Sequence, residues 1–362
     1  MSGEYDGTID PRQHPTTGRA SESPLKEPTE PGHDIIVVGA SAGGVEALLE
    51  LIGGLPPDLP AAMFVVLHVS ATETSVLPKI LARNAQVPVA HAEDGDPIEL
   101  GRVYIAPPDR HLLVHQDHVR VVRGPRENNH RPAVDPLFRS AALAYGPRVV
   151  GLVLSGSLDD GAAGMQAISR AGGIGIVQDP EDALYRSMPE NAIAADQPDY
   201  VAPLDEIPEI LAGLTQQEVV QEPAPLPVEL KKETAFAEID FSTHELPPGE
   251  RSLFSCPDCG GVLYELEEGG LLRYRCRIGH AYAVESLHAA QTESIDFALG
   301  TALRALEERA VLSRRLAKRM EAAGRTGLAV RYADRAEEAE EHAAALRGLT
   351  AEQLGPAEEV QS

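Results

Sequence analysis

Ile35-Ile36-Val37-Val38-Gly39-Ala40-Ser41-Ala42-Gly43-Gly44 joins four branched apolar residues to a glycine-rich turn, and Val45 to Leu51 beyond it has helical patterning. A branched run with no polar alternation fits a strand buried on both faces, which needs a parallel sheet covered by helices on either side. The same grammar recurs outward from this stretch. Met63-Phe64-Val65-Val66-Leu67 and Val149-Val150-Gly151-Leu152-Val153-Leu154 read as further buried strands, and Ile174-Gly175-Ile176-Val177 as another. Helices are expected at Pro136–Tyr145 and Ala162–Ala171. Val103–Ile105, Leu112–Val114 and Val119–Val122 read as short, partly antiparallel strands, with Gln116-Asp117 as a turn. The fold class is α/β, a doubly wound, mostly parallel sheet.

Ligands of such sheets bind beyond the carboxyl ends of the strands. The first strand runs into Ser41, the second into His68, and the strand over 149–154 into Ser155-Gly156-Ser157-Leu158-Asp159-Asp160-Gly161. A hydroxyl, an imidazole and carboxylates on one sheet edge are the set needed for nucleophilic acyl transfer. Glycines around Ser41 suit a sharp strand-to-helix turn, and the helix N-terminus behind it could steady an oxyanion. Two other readings of the turn stand beside this one. A dinucleotide loop would put glycine at position 41, where the chain has serine, and the elbow of the α/β-hydrolases runs serine, acid, histidine rather than serine, histidine, acid.

Gly39-Ala40-Ser41-Ala42-Gly43-Gly44, Val66-Leu67-His68 and Leu154-Ser155-Gly156-Ser157-Leu158-Asp159-Asp160-Gly161-Ala162-Ala163-Gly164 resemble the three signatures of the catalytic domain of the CheB family, the chemotaxis protein-glutamate methylesterases. Val103 to His111, Arg131 to Ala142, Gln178-Asp179-Pro180 and Met188-Pro189 agree, so the likeness covers about 34–214. The resemblance implies hydrolysis of glutamate methyl esters on chemoreceptor-type proteins, with glutamine deamidation as a related reaction. It implies Ser41 as nucleophile, His68 as general base and then acid, and Asp160 as the residue that orients His68. Backbone N–H groups near Ala42 and Ser157 are candidates for the oxyanion hole, and Pro107–Arg110 with 131–139 for a substrate groove. Ala42 stands where the family usually has threonine, and Leu158 where it has glycine. The short segment before the first strand implies a stand-alone form without the family's receiver domain. An alternative of another class is a CheB-like signalling adaptor with little turnover that works by docking partners.

The flanks divide by composition. Residues 1–32 and 351–362 read as disordered tails, 33–214 as the methylesterase-type domain, and 215–250, acidic and rich in proline, as a linker. All three cysteines fall in 251–285, as Cys256-Pro257-Asp258-Cys259 and Cys276-Arg277-Ile278-Gly279-His280. Two close pairs of soft ligands suit a closed, structural zinc site formed by Cys256, Cys259, Cys276 and His280, against the alternatives of unliganded thiols or a redox pair. No cofactor is expected for catalysis. Residues 286–350 read as two helices turning near Gly324-Arg325-Thr326-Gly327, packed on each other or offering a partner or self-association surface.

Lys and Arg number 31 against 56 Asp and Glu, a net charge of −25, which argues against nucleic-acid and anionic-membrane partners. The polar, acidic start, the lack of a long apolar run and the few cysteines lead to an expectation of a cytoplasmic protein.

Overall fold

The computed structural model describes residues 32–71, 75–219, 228–238 and 246–353. The tail expected at 1–32 lies outside them apart from Gly32, and of that expected at 351–362 only 351–353 are described, as the end of a helix.

Seven parallel strands form the main sheet: β1 (Ile35–Ala40), β2 (Ala62–Leu67), β3 (Val89–His91), β4 (Arg102–Ile105), β7 (Val149–Val153), β8 (Ile174–Gln178) and β9 (Tyr200–Ala202). Their order is β3-β4-β2-β1-β7-β8-β9. Between β4 and β7 the chain makes an antiparallel hairpin of β5 (His111–Val114) and β6 (Val119–Val122), then α3 (Val134–Tyr145). Of the three segments expected as short, partly antiparallel strands, 112–114 and 119–122 form the antiparallel hairpin and 103–105 pairs parallel with β2 and β3.

The alternation of side chains along β1 and β2 divides the core in two. Ile35, Val37, Phe64 and Val66 pack with Leu137, Phe138 and Ala141 of α3 and with Met165 and Ile168 of α4 (Ala162–Arg170). Ile36, Val38, Met63 and Val65 point the other way, onto Leu48, Leu51 and Ile52 of α1 (Gly44–Gly54) and Ile207 and Leu211 of α6 (Ile207–Leu214). Helices on both faces account for the unbroken apolar strands. Chain order reverses between β1 and β7, so their carboxyl ends open the crevice where such sheets bind ligands.

A second sheet, β10 (Glu250–Ser255), β11 (Val262–Glu268), β12 (Leu271–Cys276) and β13 (Ala281–Ala283), is antiparallel throughout. It feeds α8 (Val284–Ala322), which turns back into α9 (Thr326–Gln353). The buried positions between these helices carry small side chains: Ala310 and Ser313 on α8, and Ala336, Ala339 and Ala343 on α9. The stretch 215–250, expected to be a linker, carries a helix, α7 (Val228–Glu238). Leu230, Phe236 and Glu233 of α7 are buried, and Glu233 accepts from Arg273 of β12 at 2.6 Å. No helix among the described residues is long and apolar enough to cross a membrane.

Candidate active site and candidate metal centre

Ser41 directly follows β1. Its backbone N–H donates to the Ser155 carbonyl at 3.0 Å, which ties the turn to the end of β7. The turn has no room for larger residues. Gly43, at φ 71°, is left-handed, and a Cβ on Gly156 would stand 2.9 Å from the Ser41 Cβ and 2.5 Å from the Met188 sulfur. His68 follows β2, and its N–H donates to the Ala40 carbonyl. Asp160 lies in the loop between β7 and α4.

These three side chains meet. His68 Nε2–H donates to Asp160 Oδ2 at 2.7 Å, and Ser41 Oγ–H donates to His68 Nδ1 at 3.1 Å. A carboxylate only accepts, so Nε2 carries the ring proton and Nδ1 keeps a lone pair for the serine. Both His68 and Asp160 side chains are buried. Burial alone pushes the Asp160 carboxyl up, but the hydrogen bond and charge of His68 and the Val134 N–H outweigh it and hold it below the usual carboxylate range.

Asp160 does not stand alone. Its Oδ1 accepts from Asn128 Nδ2 at 2.8 Å and from the Asp135 N–H at 3.2 Å. Asp135 accepts in turn from Asn128 Nδ2 and from the N–H groups of Gly161 and Gly164. Burial, then the charge on Asp160, pushes the Asp135 carboxyl up. The His130 ring stacks on His68 with centroids 3.6 Å apart and planes 5° from parallel. Burial, then the neighbouring His68, lowers His130 to about 4, so it remains neutral near pH 7.

Asn128, Asp135 and His130 were not singled out from the sequence. The available signal was Asn128-Asn129, a pair that favours tight turns with positive φ. Here the two residues have φ of 49° and 67°.

The N–H groups of Ala42 and Ser157, candidates for an oxyanion hole, donate to no other group among the described residues. Leu158, where the resemblance leads one to expect glycine, takes φ 66°, a left-handed conformation that glycine adopts freely. For a branched residue this costs about 1–2 kcal/mol.

The cleft in front of Ser41, about 540 Å³, is lined by Ser41, His68, Val69, Arg126, His130 and Arg131, among others. Of the stretches expected to shape a groove, only Arg131 reaches it. Asp109 holds Arg131 from the side at 2.9 Å, and 134–139 is the buried start of α3.

Cys256, Cys259, Cys276 and His280 converge, with one ligand atom from each lying within 4.8 Å of all the others. The Cys259 and Cys276 sulfurs are 3.7 Å apart, and His280 Nδ1 is 3.6 Å from the sulfurs of both Cys256 and Cys276. A tetrahedral zinc with Zn–S of about 2.3 Å has edges of about 3.7 Å, so the donor set fits a metal of that kind. Turns at Gly260 (φ 70°) and Gly279 (φ 109°) close the two knuckles.

An α/β sheet carrying a linked serine, histidine and aspartate at the ends of its strands is the architecture of a serine-hydrolase-type centre. The model of the CheB methylesterase family matches residues 36–211. A protein of Leptospira interrogans serogroup Icterohaemorrhagiae serovar Lai is 35% identical over 190 residues, 52% of this chain and 98% of that one. The chain belongs to the CheB methylesterase family. A protein-glutamate methylesterase/protein-glutamine glutaminase 2 of Anaeromyxobacter dehalogenans is 41% identical over 183 residues, 51% of this chain and 54% of that protein. The crystal structure of the Thermotoga maritima CheB methylesterase catalytic domain is 35% identical, covers 50% of this chain and 98% of its own, and superposes with a TM-score of 0.48. The chain spans about half the length of several of the curated relatives it matches.

Proposed function

We propose that this chain is a serine hydrolase that demethylates glutamate methyl esters on chemoreceptor-type proteins, with glutamine deamidation as the related reaction. The observation that carries the reading is the continuous bond path from Ser41 through His68 to Asp160. In the proposed reaction His68 Nδ1 takes the Ser41 proton as Oγ attacks the ester carbonyl. The free N–H groups of Ala42 and Ser157 are offered to the oxyanion. His68 then protonates the departing methoxide, giving methanol and a Ser41 acyl ester. Water, deprotonated by His68, attacks that ester; the acyl–Oγ bond breaks, His68 returns the proton to Ser41 Oγ, and the glutamate side-chain acid is released. Asp160 stabilises the imidazolium and fixes its tautomer throughout.

Cys256, Cys259, Cys276 and His280 are proposed to hold a structural zinc ion, whose chemistry is to fasten two knuckles and not to touch substrate. The exposed apolar side chains Ile295, Phe297, Val311 and Leu312 on α8 support a partner or self-association surface there. Three free cysteines in metal-ligand geometry fit a reducing compartment such as the cytoplasm.

The test is methanol release from a peptide carrying one glutamyl methyl ester. Wild type should turn over, and Ser41→Ala should lose at least about 10⁴-fold in kcat. Equal idleness of wild type and variant would hand the chain to the adaptor reading.

A further inference from the structure

The turn Glu127-Asn128-Asn129-His130 lies between the proposed catalytic carboxylate and the Cys₃His module, and it is bonded to both. Its own frame is a two-residue hairpin, in which the Glu127 and His130 N–H groups each donate to the other's carbonyl. On the module side, the Asn128 N–H donates to the Ala281 carbonyl at 2.8 Å, and the Ala281 N–H donates to the Arg126 carbonyl at 3.2 Å. Ala281 is the residue after His280, one of the four converging ligands. The Ala283 N–H donates to Asn128 Oδ1 at 2.8 Å. Beside these bonds, the buried Glu127 carboxylate accepts from Arg275, which precedes the ligand Cys276, and from Arg139 of α3.

On the sheet side, the two Nδ2 hydrogens of Asn128 go to Asp160 Oδ1 and Asp135 Oδ2. Asn128 is 2% exposed, and both its Nδ2 hydrogens and its Oδ1 have partners. Only one amide orientation satisfies them, because the nitrogen faces two carboxylates and the oxygen faces a backbone N–H. The loop after β7 is held from the same module. Asp159, the neighbour of Asp160, accepts from the N–H groups of Glu285 and Ser286 and so caps α8 where it leaves β13.

We infer that the metal module is a clamp on the catalytic centre, and that Asn128 is the positioning residue through which β13 holds Asp160 against His68. The inference rests on the esterase reading of Ser41, His68 and Asp160 and adds a condition to it: Asp160 is held in full alignment with His68 only when the four ligands are closed. Asn128 is buried and does not line the cleft in front of Ser41. It acts by fixing the far oxygen of Asp160 while the near oxygen faces the imidazole.

The experiment is a two-by-two comparison on the full chain: wild type and Asn128→Ala, each zinc-loaded and each stripped with a chelator. Elemental analysis should find about one zinc per loaded chain in both, because Asn128 is not a ligand. Two readouts are taken: kcat and KM on the methyl-ester peptide, and the downfield proton resonance of the His68–Asp160 hydrogen bond. Loaded Asn128→Ala should lose about 10- to 100-fold in kcat at nearly unchanged KM, the range for a bond to a charged group. Its downfield resonance should broaden or vanish. Stripping should cost wild type a similar factor but cost Asn128→Ala little more, since both changes cut the same connection.

Full kcat and an unchanged resonance in loaded Asn128→Ala would overturn the inference. So would a stripping penalty as large in Asn128→Ala as in wild type. Should stripping unfold the chain, the loaded pair still decides. If loaded wild type hydrolyses no ester, the esterase reading fails, while the resonance still reports whether Asn128 holds Asp160.

Discussion

The parallel sheet and the Cys₃His module stay folded by different means. The sheet is held by apolar burial: both faces of β1 and β2 are covered, and residues such as Ile36, Val37 and Phe64 have no exposed surface. That force depends little on pH or metal. The module has a small core of Leu263, Tyr274, Tyr282 and Leu287 with two of the cysteines. Around it are buried ions: Glu127 between Arg139 and Arg275, and Glu233 on Arg273. Such a unit is conditional, because each charge depends on its partner and, in the proposed zinc site, each ligand on a metal. The bonds of Asn128 and Asp159 extend that conditionality to the Asp160 loop of the sheet.

The contrast can be broken first at the sheet. Phe64 is fully buried, with its ring stacked on Tyr104 at 5.1 Å. Phe64→Ala should cost about 3–5 kcal/mol in denaturant unfolding, independent of bound metal. A loss that vanished on metal loading would merge the two regions into one. Glu127→Gln should cost about 3 kcal/mol, because it leaves two buried guanidiniums without a full counter-charge. That loss should appear as faster hydrogen exchange at the Ala281 and Ala283 amides, with strands β1 and β2 unaffected.

Acid should have the same effect more gently. Burial pushes the Glu127 carboxyl up, but the charges of Arg139 and Arg275 overcome this and hold it at about 2, below its ordinary value. A depressed carboxyl contributes stability that is fully present above pH about 4.5 and lost as pH falls toward about 2. Exchange at the junction amides should therefore quicken across that window before the sheet melts, and simultaneous melting would show that the junction has no separate weakness.

The parts of the sequence that read clearly were those with one dominant force. Continuous branched runs marked β1, β2, β7 and β8, because burial on both faces leaves no other pattern. Strand-end position put Ser41, His68 and the pair Asp159-Asp160 on one edge, the family resemblance pointed to Asp160 of the two, and ligand spacing grouped Cys256, Cys259, Cys276 and His280. The edge strands β3 and β9 are three residues each and carry too little pattern to register. Helix α7 hid in a proline-rich acidic stretch, because the burial of Glu233 is offset by Arg273, 40 residues away. The roles of Asp159 and Asp160 differ only in direction, one facing α8 and the other His68, and no composition or spacing distinguishes them.

Helix α8 has 39 residues, so at about 1.5 Å per residue it is a rod of about 58 Å. Its root is fastened to Asp159, the chain neighbour of Asp160. Leverage follows from that geometry: a tilt of about 5° at the root sweeps the distal tip through about 5 Å. A grip on the far end of the rod is thus mechanically geared down, large travel at the tip becoming a fine adjustment beside the imidazole.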